Sequence, residues 1–275
     1  MIVVTGATGN VGRPLVRALA EAGEQVTAVS RGAAAPDIPE GVRHRQADVG
    51  DPTSLKPALE GADALFLLTS ADLMLGGGTV DGALEAARSC GVRRVALLSS
   101  QGVGSLRHPA EYEDAVKASG LEWTVLRPGG FASNALQWAA SVRERREVIA
   151  PFGEVALPVV DPADIAEVAA AALRESGHGG ATYVLTGPEP VSPRRQAAAI
   201  GDVLGEPVRF VEQSPAEARA QMVRFMPPQV ADTTLAILGT PSAEEQRVSP
   251  DVERVLGRRP RAFAEWAGRN AAAFT

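Results

Sequence analysis

The sequence predicts an α/β fold: a doubly wound, mostly parallel sheet with a smaller C-terminal lobe. Three observations predict it. A glycine-rich turn, TGATGNVG from Thr5 to Gly12, directly follows an apolar strand at residues 1–4. Short β-type runs then alternate with helical patterns through the first half of the chain. The 275 residues, 45% of them hydrophobic, are enough for one large core with a lobe attached.

The elements follow in order. Residues 2–5 read as a buried strand. Residues 11–22 read as a helix with Val11, Leu15, Val16 and Leu19 on one face, and Gly23 stops it. Residues 25–30 form a second strand and 42–46 a weaker third. Residues 52–60 form a short helix with Asp51 as N-cap. A fourth strand covers 64–68, a helix covers 78–90, and a fifth strand covers 94–99. A helix over 109–119 leads to a sixth strand over 123–127. Strand–helix units at this spacing imply a parallel sheet covered on both faces. Residues 132–147 then read as helical and arginine-rich, 155–160 as a strand, 161–173 as an alanine-rich helix and 182–185 as a strand. Three Ser-Pro starts, at Ser192, Ser214 and Ser249, each open a helix. The expected division is a domain over 1–130 and a lobe over 131–275 that partly returns to the sheet.

Composition narrows the partners. A formal charge of −6 argues against nucleic acid. No apolar run approaches the roughly 18–20 residues of a membrane span, and residues 1–5 lack a basic leader. Cys90 is the only cysteine, which excludes an internal disulfide and fits a reducing compartment. The expected location is cytoplasmic, and a homodimer is compatible with the sequence. The basic runs at 43–45, 143–146 and 258–261 read as solvated faces. His44 and His178 are isolated and no cluster has metal-ligand spacing, so no metal is expected.

The glycine turn carries the first functional signal. Gly6, Gly9 and Gly12 are spaced G-x-x-G-x-x-G between a strand and a helix. Gly6 permits the tight turn, Gly9 bares the backbone where a pyrophosphate lies, and Gly12 lets the helix pack close. The helix N-terminus offers N–H groups and partial positive charge, and Thr8 and Asn10 add side-chain hydrogen bonds. This predicts a Rossmann-like nucleotide site. The second strand ends at Ser30-Arg31, with no carboxylate until Asp37. An arginine there suits a 2′-phosphate, which favours NADP over NAD. Asp48 can accept from the adenine amino group, with Val49 beside it. Thr69, Ser70, Ser99 and Pro128 lie at the carboxyl ends of later strands, where ligands of such sheets bind. The predicted cofactor set is Gly6, Thr8, Gly9, Asn10, Val11, Arg31, Asp48, Val49, Thr69, Ser70, Ser99 and Pro128.

Five stretches carry a family resemblance: VVTGATGNVG, ADVGDPTSL, VRRVALLSS, SGLEWTVLRPGGFASN and VLGRRPRAFAEWAGRN. Together they resemble the NmrA-like family of atypical short-chain dehydrogenases, which includes type-2 NADPH:quinone oxidoreductases. The resemblance covers almost the whole chain. It implies an NAD(P)-binding Rossmann domain and a small substrate lobe. It also admits members that bind cofactor without turnover. It places the turn from Pro128 to Phe131 beside the nicotinamide.

The chain departs from the Y-x-x-x-K pair of typical short-chain dehydrogenases. Tyr112 and Lys117 are five residues apart, which is about 140° of divergence on a helix. Tyr112 and His108 are the candidate proton donors. The lobe is expected to offer Phe131, Trp138 and Phe225 to substrate, with Phe152, Met222 and Met226 nearby. The expected function is NADPH-dependent reduction of a quinone, enone or similar flat carbonyl compound by hydride transfer. A cofactor-sensing regulator and a cofactor-assisted isomerase or epimerase are the alternatives.

Overall fold

The structure, a computed structural model, describes residues 1–33 and 38–275. Asp37 lies outside the described residues. The chain begins β1 (Ile2–Thr5), α1 (Gly12–Glu21), β2 (Val26–Ser30), β3 (Arg43–Gln46), α2 (Pro52–Leu59) and β4 (Ala64–Leu67). It continues with α3 (Ala71–Leu75), α4 (Asp81–Ser89), β5 (Arg94–Leu98), α5 (Gln101–Gly104), α6 (Glu111–Ala118) and β6 (Glu122–Pro128). A 3-10 helix (Ala132–Trp138) precedes α7 (Ala139–Arg145), β7 (Glu147–Ala150), α8 (Pro162–Arg174) and β8 (Ala181–Leu185). The last part holds α9 (Pro193–Leu204), β9 (Arg209–Glu212), α10 (Pro215–Met222), α11 (Pro228–Gly239), α12 (Asp251–Leu256) and α13 (Phe263–Arg269).

The chain divides into two compact units. The first comprises Met1–Pro128, Pro162–Leu185 and Asp251–Arg258. Its sheet has seven strands in the order β3-β2-β1-β4-β5-β6-β8, all parallel. The order reverses at β1, because β2 and β3 lie on one side of it and β4, β5, β6 and β8 on the other. That reversal is the switch point at which open α/β sheets hold ligands. Successive strand residues point to opposite faces. Val3, Leu65, Val95 and Val125 pack with Leu55, Leu59 and Leu84 and with Val116 of α6. On the other face α8 packs on α1, β4, β5 and β6, and Ile165, Val168 and Leu173 are buried there. Asp51 caps α2 by accepting from Thr53 N at 3.0 Å.

The second unit comprises Gly129–Asp161, Thr186–Pro250 and Arg259–Thr275. It holds the two-stranded parallel sheet β7-β9. Trp138, Val142 and Val148 share a core with Ile200, Phe263, Trp266 and Phe274. Ser192 and Ser214 cap α9 and α10 as the Ser-Pro pattern predicts, Ser214 in a reciprocal capping box with Glu217.

Several expectations need correction. Residues 155–160 form no strand; they make only isolated bridges, Leu157 with Val191 and Val160 with Phe131. Residues 132–147 do not form one helix, because Arg146 is left-handed (φ 54°) and β7 begins at Glu147. The 258–261 run is not simply a solvated face: Arg258 pairs with the fully buried Asp164 and with Glu167.

Candidate active site

The three glycines of the turn differ in what constrains them. Gly6 has φ +63°, and a Cβ there would lie 2.8 Å from the Leu68 side chain. A Cβ on Gly12 would lie 2.1 Å from the Gly6 carbonyl oxygen, so α1 reaches the turn only because position 12 has no side chain. Gly9 is exposed, and its Cβ would meet only the Gly6 oxygen, at 3.3 Å. Packing within the protein therefore requires Gly6 and Gly12 far more than Gly9. The bare backbone at Gly9 faces outward, where it can receive a ligand. Thr8 and Asn10 flank it, both exposed, and Val11 is buried beneath. No side chain caps α1 and its first turn holds no acid, so the positive end of its dipole is not neutralised locally. These residues fit a dinucleotide pyrophosphate.

The strand ends around the turn are tied together. Thr5 Oγ donates to Phe66 O at 3.0 Å and accepts from Leu68 N at 2.8 Å, which locks β1 to β4 at the switch point. Sequence reasoning missed Thr5. Arg31 follows β2 and forms an ion pair with Asp72 in the first turn of α3. The hydrogen bond and charge of Asp72 raise its pKa, and Asp48 adds to this. Gln46 Nε2 donates to the Arg31 carbonyl at 2.8 Å. Asp48 follows β3 and accepts from Gly50 N at 2.8 Å, while Val49 packs against the apolar core. Ser70 follows β4 with Thr69 and caps α3, accepting from Leu73 N at 3.1 Å. Pro128 ends β6 and is buried. A parallel sheet puts all these positions on one edge.

Two predicted side chains are occupied elsewhere. Ser99 Oγ donates to Glu113 Oε1 at 2.6 Å, so its proton is not available to a cofactor. Glu113 is buried and receives a bidentate pair from Arg127, at 2.8 and 2.7 Å, and Lys117 Nζ at 3.0 Å. Burial pushes the Glu113 pKa up, but the bonds from Arg127, Ser99 and Lys117 outweigh it and hold it at about 2. Tyr112 donates to Gly78 O at 2.9 Å and packs on the core below α4. Burial, and then the Glu111 carboxylate, raise its pKa, which makes the phenol a poorer acid. The structure thus corrects Tyr112 from proton donor to a structural tie. His108 Nδ1 lies 3.1 Å from Ser100 Oγ, and its ring fills the space a Cβ on Gly102 would need.

The second unit contains a pocket of about 720 Å³. The structure brings Phe131, Trp138 and Phe225 together on its wall, with Met222 and Met226. Phe225 is 86% exposed and stands at the rim. Phe152 is not on this wall; its ring lies against Gly239. Sequence reasoning missed the polar part of the lining, which includes Asn134, Gln137, Gln196, Gln213 and Gln221. All the residues lining this pocket are neutral: none is Asp, Glu, Lys, Arg or His. Among the described residues no group of acids, histidines and cysteines is placed to hold a metal ion, and no helix is long and apolar enough to cross a membrane.

A family model for NAD(P)H-binding proteins matches residues 6–176, from the first glycine of the turn through α8. The chain belongs to this family. The NmrA-like resemblance read from the motifs agrees with it. The NAD(P)H-binding chain is 39% identical to (4-alkanoyl-5-oxo-2,5-dihydrofuran-3-yl)methyl phosphate reductase of Streptomyces griseus subsp. griseus, over 100% of this chain and 99% of that protein. It is 35% identical to an NAD(P)H azoreductase of Xenophilus azovorans, over 100% and 99% of the two chains. Its fold matches the NADPH complex of an NADPH-dependent quinone oxidoreductase from Escherichia coli with a TM-score of 0.81, at 26% identity and 98% and 99% coverage. It is an NAD(P)H-dependent oxidoreductase with a small-molecule substrate.

Proposed function

We propose that this oxidoreductase reduces an uncharged, flat, conjugated carbonyl compound, a quinone or an enone, and takes NADPH in preference to NADH. The neutral lining of the 720 Å³ pocket carries the reading. An ionised substrate would leave water for a wall with no opposite charge, at a cost of several kcal/mol. A neutral conjugated ring loses little on entry and gains apolar contact with Phe131, Trp138 and the methionines. The amides of Asn134, Gln137, Gln196, Gln213 and Gln221 supply donors for carbonyl oxygens. The name of the Streptomyces relative includes a phosphate ester; in this pocket such a group would meet no cationic side chain.

Bound NADPH supplies the hydride. The proposed cofactor residues are Gly6, Thr8, Gly9, Asn10, Val11, Arg31, Asp48, Val49, Thr69, Ser70 and Pro128, and Ser99 through its backbone. Gly9 exposes the backbone to the pyrophosphate, and the uncapped start of α1 stabilises its charge. Arg31 holds the 2′-phosphate. A reduced quinone oxyanion is stabilised by its own ring, so the chain needs no Tyr–Lys pair. The remaining candidate donor is His108, whose Nδ1 lies within hydrogen-bond reach of Ser100 Oγ.

The test is a cofactor-oxidation series that pairs each neutral quinone or enone with its carboxylated or phosphorylated analogue. The neutral member should have a kcat/KM at least about tenfold higher. Equal or better turnover of the charged analogues would refute the assignment of this pocket.

A further inference from the structure

Arg31, to which the proposed function gives the 2′-phosphate, already holds an anion. Its guanidinium pairs with Asp72. The two residues come from different parts of the sheet, Arg31 after β2 and Asp72 after β4. Because β2 and β4 are the two neighbours of β1, a pair joining them spans the carboxyl edge of β1, where the glycine turn begins. Both side chains are largely exposed, 56% for Arg31 and 76% for Asp72. An ion pair of this kind is worth little and exchanges easily. Asp48 is the second carboxylate whose charge acts on Arg31.

We propose that Asp72 sets the cofactor preference of this enzyme, competing with the 2′-phosphate of NADPH for the Arg31 guanidinium. The inference rests on Arg31 being the phosphate ligand. NADPH must displace the carboxylate and then keep its phosphate, of about two negative charges, near it. NADH carries a hydroxyl at that position and meets neither cost. The chain thus carries the arginine of an NADPH enzyme and an opposing acid that moderates it. That acid comes not from the end of the second strand, where NAD-binding sheets place one, but from the far side of β1.

Fluorescence titration of NADPH and NADH against the wild type, Asp72→Asn, Arg31→Ala and the double variant tests this. Asp72→Asn should bind NADPH about three- to tenfold more tightly, with NADH unchanged within about twofold. The gain should shrink in 1 M salt, where the screening length is about 3 Å, and should vanish in the Arg31→Ala background. If Arg31→Ala abolishes the preference and Asp72→Asn leaves it unchanged, the role of Asp72 is refuted and that of Arg31 stands. Weaker NADH binding in Asp72→Asn would make Asp72 a ribose ligand and overturn the competition. If Arg31→Ala itself leaves the NADPH-to-NADH ratio unchanged, the phosphate assignment fails and this inference falls with it.

Discussion

At the scale of single residues, the glycine turn separates what the fold needs from what a ligand needs. Gly12 is required by the protein itself, since its Cβ would overlap the Gly6 carbonyl at 2.1 Å. Gly12→Ala should therefore push α1 off the sheet and cost about 1–3 kcal/mol of stability. Gly9 is exposed and its Cβ has only a 3.3 Å contact to relieve. Gly9→Val should unfold within about 0.5 kcal/mol of the wild type yet lose more than about 2 kcal/mol of NADPH binding. Urea unfolding and fluorescence titration on the two variants read the two effects separately. Unchanged NADPH affinity in folded Gly9→Val would remove the pyrophosphate from this turn. The turn was legible in the sequence because spacing and position fix its chemistry. Tyr112 was not: its partner is the carbonyl of Gly78, 34 residues away, and no local pattern encodes that contact. The bond of the Ser99 hydroxyl to Glu113 was hidden for the same reason.

At the scale of elements, most of the parallel strands and their helices were legible because they are runs of buried aliphatics bounded by glycine or a cap; β3, Arg43–Gln46, has no such run and was the weakest signal. The short strands β7 and β9 were not legible. Each has four residues, and β9 begins and ends on the exposed charges Arg209 and Glu212, so neither presents a long apolar run. The arginine-rich and acidic helices also hid their function in the fold. In α6 the charge of Glu113 is buried at the junction with β5 and β6 and is held by Arg127, Ser99 and Lys117. The consequence is a dependence on pH. Glu113 titrates at about 2 in the folded chain against 4.5 for the ordinary group. A lowered folded pKa means the stabilisation is present above about pH 4.5 and is lost as pH falls toward 2. This one group should contribute about 3 kcal/mol of the acid loss between pH 5 and 2. Glu113→Gln should be less stable at pH 7 by about 3–5 kcal/mol, because Arg127 and Lys117 lose their shared anion. Its stability should also fall less steeply over that pH range. Urea midpoints from pH 2 to 7 measure both, and parallel profiles for the two proteins would show that Glu113 is not the linked group.

At the scale of the whole molecule, the chain passes between its two units five times, after residues 128, 161, 185, 250 and 258. A linear reading sees only part of this: it expects the lobe to return to the sheet, but not the five crossings. It places a boundary near residue 130 because the strand–helix alternation weakens there, and composition does not change where the chain returns to the sheet. Yet β8 pairs with β6 over five residues, from Thr124 with Ala181 to Pro128 with Leu185. The α8 helix covers β4, β5 and β6 and packs on α1. Ile165, Val168, Leu173 and Leu185 bury their side chains in these contacts. At about 2 kcal/mol for each such side chain, their loss is about 8 kcal/mol. That equals the whole stability of an ordinary domain, about 5–15 kcal/mol, before the unpaired edge of β6 is counted. A chain cut after residue 130 should therefore fail to fold cooperatively, although it contains the glycine turn, Arg31 and Asp48. Its near-UV circular dichroism should be lost, its urea transition broad, and its NADPH binding absent, while the full chain keeps all three. A sharp urea transition and measurable NADPH affinity in the fragment would show that residues 1–130 are a self-sufficient domain and that the returning segments are accessory.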